Sequence, residues 1–336
     1  MNILWVTSEA VPYAKTGGLA DVSAALPLAL AERGHHVSVV MPFYPQQMGK
    51  LNLKFDEVHE LLRVPFGDGC EWARVNVLRT HKNLTWYFIE YNRFFDRPKL
   101  YDWDGREYAD NAQRYIFLCR AAMELAVNFR LAPDVLHAND WHAALCCVYL
   151  RSALYSGNEQ FRRTRSVLTI HNIGYQGNFD KGNLYWTGLG WDYFNHLCLE
   201  FYDRLNFLKG GIMCADMVST VSPTYAQEIL SPGYGFGLDG APPRNPQRNR
   251  HRGMEPGDRQ ESPRDVLRRQ ARRQSGLPPR ASAEIRTPRP RGRPPLRRHL
   301  PSRISEGSRR FRLRSRRAPA RMRLPVRRRH FRRKRH

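Results

Sequence analysis

Along the first two thirds of the chain, short and almost wholly apolar runs alternate with stretches whose apolar residues return every three or four positions. NILWVTSE is an apolar run, a glycine-bearing loop follows, and LADVSAALPLALAERG then places Leu19, Val22, Leu26 and Leu30 at helical spacing. Gly34 is the stop signal of that helix, and HVSVVMPFY is the next strand. A strand, loop, helix and strand in this order predict a doubly wound parallel sheet. Residues 51–90 break the rhythm, and CEWARVNVLRT and LTWYFIEY predict an antiparallel excursion. NAQRYIFLCRAAMELAVNF reads as a long amphipathic helix. PDVLHAND followed by WHAALCCVYLRSAL repeats strand then helix, with Asp140 placed to cap the helix that starts at Trp141. TRSVLTIHNIGYQGNF is again a strand running into a polar loop, and in ADMVSTVSPTYAQEIL the pair Ser222-Pro223 starts the last helix.

Four polar loops, KTGG, HAND, HNIGYQG and STVSPT, therefore fall at strand C-terminal ends, where open α/β sheets bind ligands. Charge changes the picture beyond residue 240. The whole chain has a net charge of +24, but residues 1–240 hold 22 Lys and Arg against 25 Asp and Glu. Residues 241–336 hold 33 against 6, with 32 Arg, one Lys and 14 Pro. The basic character belongs to this tail, so it does not make the body a nucleic-acid or membrane binder. The tail is too poor in apolar residues to offset ordering entropy and is expected to be disordered. Arg, Pro, Gly, Ser and Ala in excess with almost no Lys is what a GC-rich gene yields out of frame; a disordered RNA-binding arm is the other reading. No stretch approaches the roughly 18 apolar residues of a membrane span. Cys70, Cys119, Cys146, Cys147, Cys198 and Cys214 match no zinc or haem spacing and read as thiols of a cytoplasmic protein.

Within AKTGGLADV, Gly17-Gly18 allow close backbone approach and positive φ, and the helix end behind them presents free N–H groups to an anion. Lys15 adds a charge and Thr16 a hydroxyl, a set that suits a diphosphate or sugar phosphate; a plain strand-to-helix turn is the bland alternative. His137 and His142 could be ligands or packed histidines. His171 and Asn172, side by side at a strand end, can hydrogen-bond a sugar hydroxyl. Tyr101, Trp103, Tyr175, Phe179 and Trp186 offer flat faces for sugar rings, or simply fill the core.

SEAVPYAKTGGLADVSAALP, EYNRFFDRP, PDVLHANDWHAAL, TIHNIGYQGNF, LEFYDRLNFLKGGI and TVSPTYAQEI stand in this order and at these intervals. In them the chain resembles the bacterial glycogen synthase and plant starch synthase family across residues 1–240. The Lys-Thr-Gly-Gly-Leu form resembles the ADP-glucose users. The resemblance implies the Rossmann-like N-terminal half of a GT-B glycosyltransferase, which moves glucose from ADP-glucose to the non-reducing end of an α-1,4-glucan with retention, and with no metal or other cofactor. Carried over, Lys15, Thr16, Gly17 and Gly18 would meet the donor, and Asp21 would order their loop. Asp140, His171 and Asn172 would line the reacting centre, and Tyr101, His137 and Tyr175 the glucose and acceptor side. Glycogen or another α-1,4-glucan is the implied partner.

The resemblance stops at about Ala241. The family's second domain, with its diphosphate-gripping Arg and Lys and its Glu, has no counterpart in residues 241–336. Little or no glucosyltransferase activity is therefore expected of this polypeptide, and on the out-of-frame reading another frame of the gene carries the missing domain. A glucan-binding module without turnover is the second function class. An RNA binder through the tail is the third, betrayed by affinity that collapses with salt.

Overall fold

The computed structural model describes residues 1–239, so the expectations for the tail lie outside the described residues. Eight strands form one sheet: β1 Asn2–Val6, β2 His36–Pro42, β3 Glu57–Phe66, β4 Gly69–His81, β5 Leu84–Glu90, β6 Val135–Asn139, β7 Arg165–Ile170 and β8 Met217–Thr220. Their spatial order is β8-β7-β6-β1-β2-β5-β4-β3. All neighbours from β8 to β5 are parallel, and β4 and β3 add an antiparallel edge. The chain runs outward from β1 through β2 to β5 and then returns to lay β6 on the other side of β1. The strand order reverses there, and the C-terminal ends of β1 and β6 flank the crevice that such a reversal opens.

The apolar run of β1 is buried on both faces, with Leu4, Trp5 and Val6 fully enclosed, as a central parallel strand requires. Trp5 pairs with Val39 and His137 across its two neighbours and lays its ring 4.1 Å from that of His137. The LTWYFIEY run differs from expectation in part. Residues 84–90 pair antiparallel with β4 on one side but parallel with β2 on the other. An apolar run declares burial, and not the direction of its neighbour.

The α-helices longer than four residues are α1 Gly18–Glu32, α2 Asn111–Asn128, α3 Asp140–Arg151, α4 Phe207–Cys214 and α5 Pro223–Glu228. Gly34, at φ +87, ends α1 as expected, with its N–H on Ala31 O and that of His35 on Leu30 O. The buried face of α1 is Leu19, Ala20, Ser23, Pro27 and Ala31, whereas Leu26 is 39% exposed. Small residues let α1 lie close to the β1 loop, where Ser23 Oγ meets Thr7 Oγ1 at 2.9 Å. α2 is not amphipathic: Arg114 and Arg120 are buried with its apolar residues, Arg114 giving hydrogen bonds to Phe94 O and Asn111 Oδ1 at 2.7 Å each. Ser222 caps α5, its Oγ accepting from Tyr225 N, with Pro223 in the first turn. Among the described residues no helix is long and apolar enough to cross a membrane.

Candidate active site

The loop after β1 carries Ser8 and Glu9 and runs through Lys15–Gly17 into α1. Glu9 is 3% exposed, yet its Oε2 accepts hydrogen bonds from Thr16 N and, at 2.8 Å, from Thr16 Oγ1. The Thr16 hydroxyl is thus committed inside the protein. Lys15 Nζ lies 2.7 Å from Asp21 Oδ1 in the first turn of α1, and both side chains are about half exposed. Gly17 is extended (φ −145°, ψ −163°) and caps α1 without a side chain. Neither Gly17 nor Gly18 has the positive φ expected of them. A Cβ at either would meet nothing within 4 Å, so the protein's own packing does not demand glycine there. The space beside the helix end is open.

Facing this loop across the reversal is the end of β6. Asp140 does not cap α3; Asn139 occupies that position. The Asp140 backbone is left-handed, at φ +55, which turns its carboxylate away from the helix. Oδ1 instead accepts from His171 N at 2.7 Å and from Asn172 N at 3.3 Å, tying the end of β7 to that of β6. Asn139 Nδ2 donates to Val6 O and His137 O, so its Oδ1 faces His171 Nε2 at 3.1 Å. With the amide fixed by two carbonyls, the imidazole carries its proton on Nε2 and leaves Nδ1 as an acceptor.

Burial dominates the electrostatics. It pushes Asp140 up to about 7, against the two amides that stabilise its charged form, with Glu9 adding to the rise. Glu9 is raised by burial as well, opposed by its bonds to Thr16 and Gly17. Burial lowers His171 to about 4, and burial together with His171 lowers His137 to about 3. Neutral imidazoles are hydrogen-bonding groups and carry no charge to a diphosphate.

The structure therefore gathers Asp140, His171 and Asn172 into one hydrogen-bonded cluster and holds Lys15, Thr16, Gly17, Gly18 and Asp21 on one loop and helix end. Tyr101 joins the two groups: its hydroxyl is 2.7 Å from Ser8 Oγ, its ring 4.6 Å from that of His142, and Glu9 and Asp140 both act on its ionisation. His137 sits within β6, under Trp5, with Nε2 2.7 Å from Thr169 Oγ1. Trp103 and Tyr175 are 55% and 62% exposed. Phe179 and Trp186 are packing residues, against Trp141 and Phe207 in the first case and stacked on Phe66 at 4.9 Å in the second. Sequence reading overlooked Glu9, Ser8 and Asn139. The available signal was a carboxylate directly behind the apolar run of a central strand.

Gly177 supports the loop after β7. Its φ is +61 and a Cβ would lie 2.5 Å from Trp141 Cε3. Gly177→Ala is expected to cost about 2 kcal/mol, read as a lowered midpoint in urea.

Residues 2–242 match the starch synthase catalytic domain family. The chain belongs to that family. Among glycogen synthases it is 40% identical to that of Thermodesulfovibrio yellowstonii over 252 residues, covering 71% of this chain and 50% of the relative. It is 43% identical to that of Myxococcus xanthus over 242 residues, covering 71% and 50%. The starch synthase domain also superposes on the catalytic domain of starch synthase IV from Arabidopsis thaliana, bound to ADP and acarbose, with a TM-score of 0.58 and 30% identity over 70% of this chain and 48% of that one. The chain spans about half the length of the curated relatives it matches.

Proposed function

We propose that residues 1–239 form the N-terminal half of a retaining glucosyltransferase site, which takes glucose from ADP-glucose to the non-reducing end of an α-1,4-glucan. The observation that carries this reading is the meeting, at one sheet reversal, of an open glycine loop with a cation and a buried carboxylate that holds a half-buried imidazole. The end of α1 offers its first N–H groups and partial positive charge to the donor diphosphate. Lys15 turns from Asp21 to the same phosphates; an exposed pair of this kind is worth only about 0–1 kcal/mol, so exchanging it costs little. Asp140 holds the His171 and Asn172 amides in place, and the neutral His171 ring accepts from a sugar hydroxyl through Nδ1. Stabilising the departing diphosphate is the main catalytic contribution, with no metal in the step. Trp103 and Tyr175 give the glucan exposed aromatic faces. Cys119, Cys146 and Cys147 are buried thiols, which suits the reducing cytoplasm.

Calorimetric titration of the 336-residue chain with ADP, and co-sedimentation with glycogen, test the proposal. ADP is expected to bind, and Lys15→Ala to weaken it about tenfold or more, the worth of a hydrogen bond to a charged group. A wild-type chain that binds neither ADP nor glycogen overturns it.

A further inference from the structure

The glycine loop is free of positive-φ glycines and has no steric neighbour at Gly17 or Gly18, so sterics do not explain its shape. Its hydrogen bonds do, and they converge on one residue. Thr7 Oγ1 donates to Glu9 O at 3.0 Å while also meeting Ser23 Oγ on α1, which ties the Glu9 backbone to the helix. The Glu9 side chain reaches forward seven positions to take both the N–H and the hydroxyl of Thr16. Val11 N closes on Ala20 O at 3.1 Å between them. An ionised carboxylate is acceptor-only, and its charge makes hydrogen bonds from neutral donors such as Thr16 N–H and O–H about twice as strong as those to a neutral acceptor. Buried at 3% exposure, it has to keep those donors. The loop and the carboxylate therefore hold each other.

We infer that Glu9 is the positioning residue of the donor loop: it fixes Thr16–Gly18 so that the first N–H groups of α1 and the Lys15 stem face the open space where a nucleoside diphosphate binds. The inference deepens the donor reading and rests on it for the identity of the ligand. Glu9 touches no substrate in this role; it acts through Thr16. It also places a carboxylate behind an anion site. That arrangement works because its charge is spent on the two Thr16 donors.

Glu9→Gln keeps a carbonyl oxygen for both Thr16 donors, and Glu9→Ala keeps none. Hydrogen–deuterium exchange of the Thr16, Gly17 and Gly18 amides in the full chain reads the positioning without any ligand. ADP titration reads its consequence. Glu9→Ala is expected to raise exchange at those amides and weaken ADP about tenfold, while Glu9→Gln stays within about threefold of wild type on both, as two retained hydrogen bonds imply. Thr16→Val removes one of the two bonds without emptying the interior, and an intermediate loosening is expected; it decides the matter together with Glu9→Gln if Glu9→Ala does not fold. Unchanged exchange at residues 16–18 in a folded Glu9→Ala or in Thr16→Val overturns the inference, as does a Glu9→Gln as impaired as Glu9→Ala. A wild-type chain that fails to bind ADP but shows Glu9-dependent protection overturns the donor reading and leaves the positioning role standing.

Discussion

Between pH 7 and pH 5 the wild-type chain is expected to lose about 1–3 kcal/mol of folding free energy, and the Asp140→Asn variant about 2 kcal/mol more. The two kinds of buried group pull in opposite directions. His137 and His171 are held at about 3 and about 4 in the fold, against an ordinary 6.5, because burial penalises the imidazolium. His142 is lowered as well, by burial and then by Arg114 and His171. A depressed histidine gives stability that is present above pH 6.5 and is lost as pH falls, because the unfolded chain takes up the proton that the fold refuses. Asp140, raised from 3.8 to about 7, does the reverse. Its contribution is full below pH 3.8 and disappears as pH rises through 7, so on acidification it offsets part of the histidine loss. Glu9, also raised, acts in the same sense as Asp140. Three histidines outweigh two carboxylates, and the net slope follows the histidines. Asparagine at 140 cannot titrate, so the offset vanishes and the acid slope steepens. Urea unfolding of both proteins at pH 7, 6 and 5 measures the difference. A wild type and an Asp140→Asn with parallel pH curves would show that Asp140 ionises in the fold at an ordinary carboxylate pKa.

That the same residues govern stability and the candidate site follows from where the sheet puts them. The reversal beside β1 needs polar residues at strand ends; Asn139 and Asp140 are buried there, His171 is half-buried, and aromatic rings enclose His142 next to them. Tyr101, Trp141 and Tyr115 lie around His142, with ring separations of 4.6, 4.0 and 4.7 Å. A site built in this way has neutral imidazoles and, at Asp140, a carboxyl that is half protonated near pH 7, groups suited to the hydroxyls of the proposed sugar substrate.

Much of this was legible in the residues, and the part that was not has a common cause. The β1 run, the Gly34 stop and the Ser222-Pro223 start are local signals, and each is written within a few residues of its effect. Asp140 carried a local signal too, as an acidic residue ahead of an apolar period. That signal was overridden by two amides that lie more than thirty positions away in sequence, and the left-handed backbone at 140 directs the carboxylate to them. The face of α1 was legible in part: Leu19 is buried and Leu30 packs on the core, but Leu26 points outward, and close helix–sheet approach also selects Ala20, Ser23 and Ala31. Glu9 left a single trace, a carboxylate directly behind an apolar strand, which does not by itself tell that the side chain turns inward. Its partner Thr16 was noticed for its hydroxyl, and that hydroxyl serves the loop. The shared site motifs were plain in sequence; the hydrogen bonds that hold them were not.

Asp140→Ala is expected to be a damaging substitution in the site, at about 2–4 kcal/mol. Two costs combine. The amides of His171, which is half-buried, and Asn172, which is exposed, lose their shared acceptor, and the one shielded from water costs about 1–3 kcal/mol. The left-handed backbone at φ +55, which Asp tolerates better than Ala, adds about 1 kcal/mol. Asp140→Asn keeps an oxygen for both amides and tolerates the same backbone, so it is expected within about 1 kcal/mol of wild type at pH 7. Asp140→Gly relieves the backbone but not the amides and falls between the two. The order Asn, Gly, Ala in urea midpoints therefore separates the hydrogen-bond cost from the conformational one. Should alanine prove as stable as asparagine, the His171 and Asn172 amides must find another acceptor, and the end of β7 would be held by something other than Asp140.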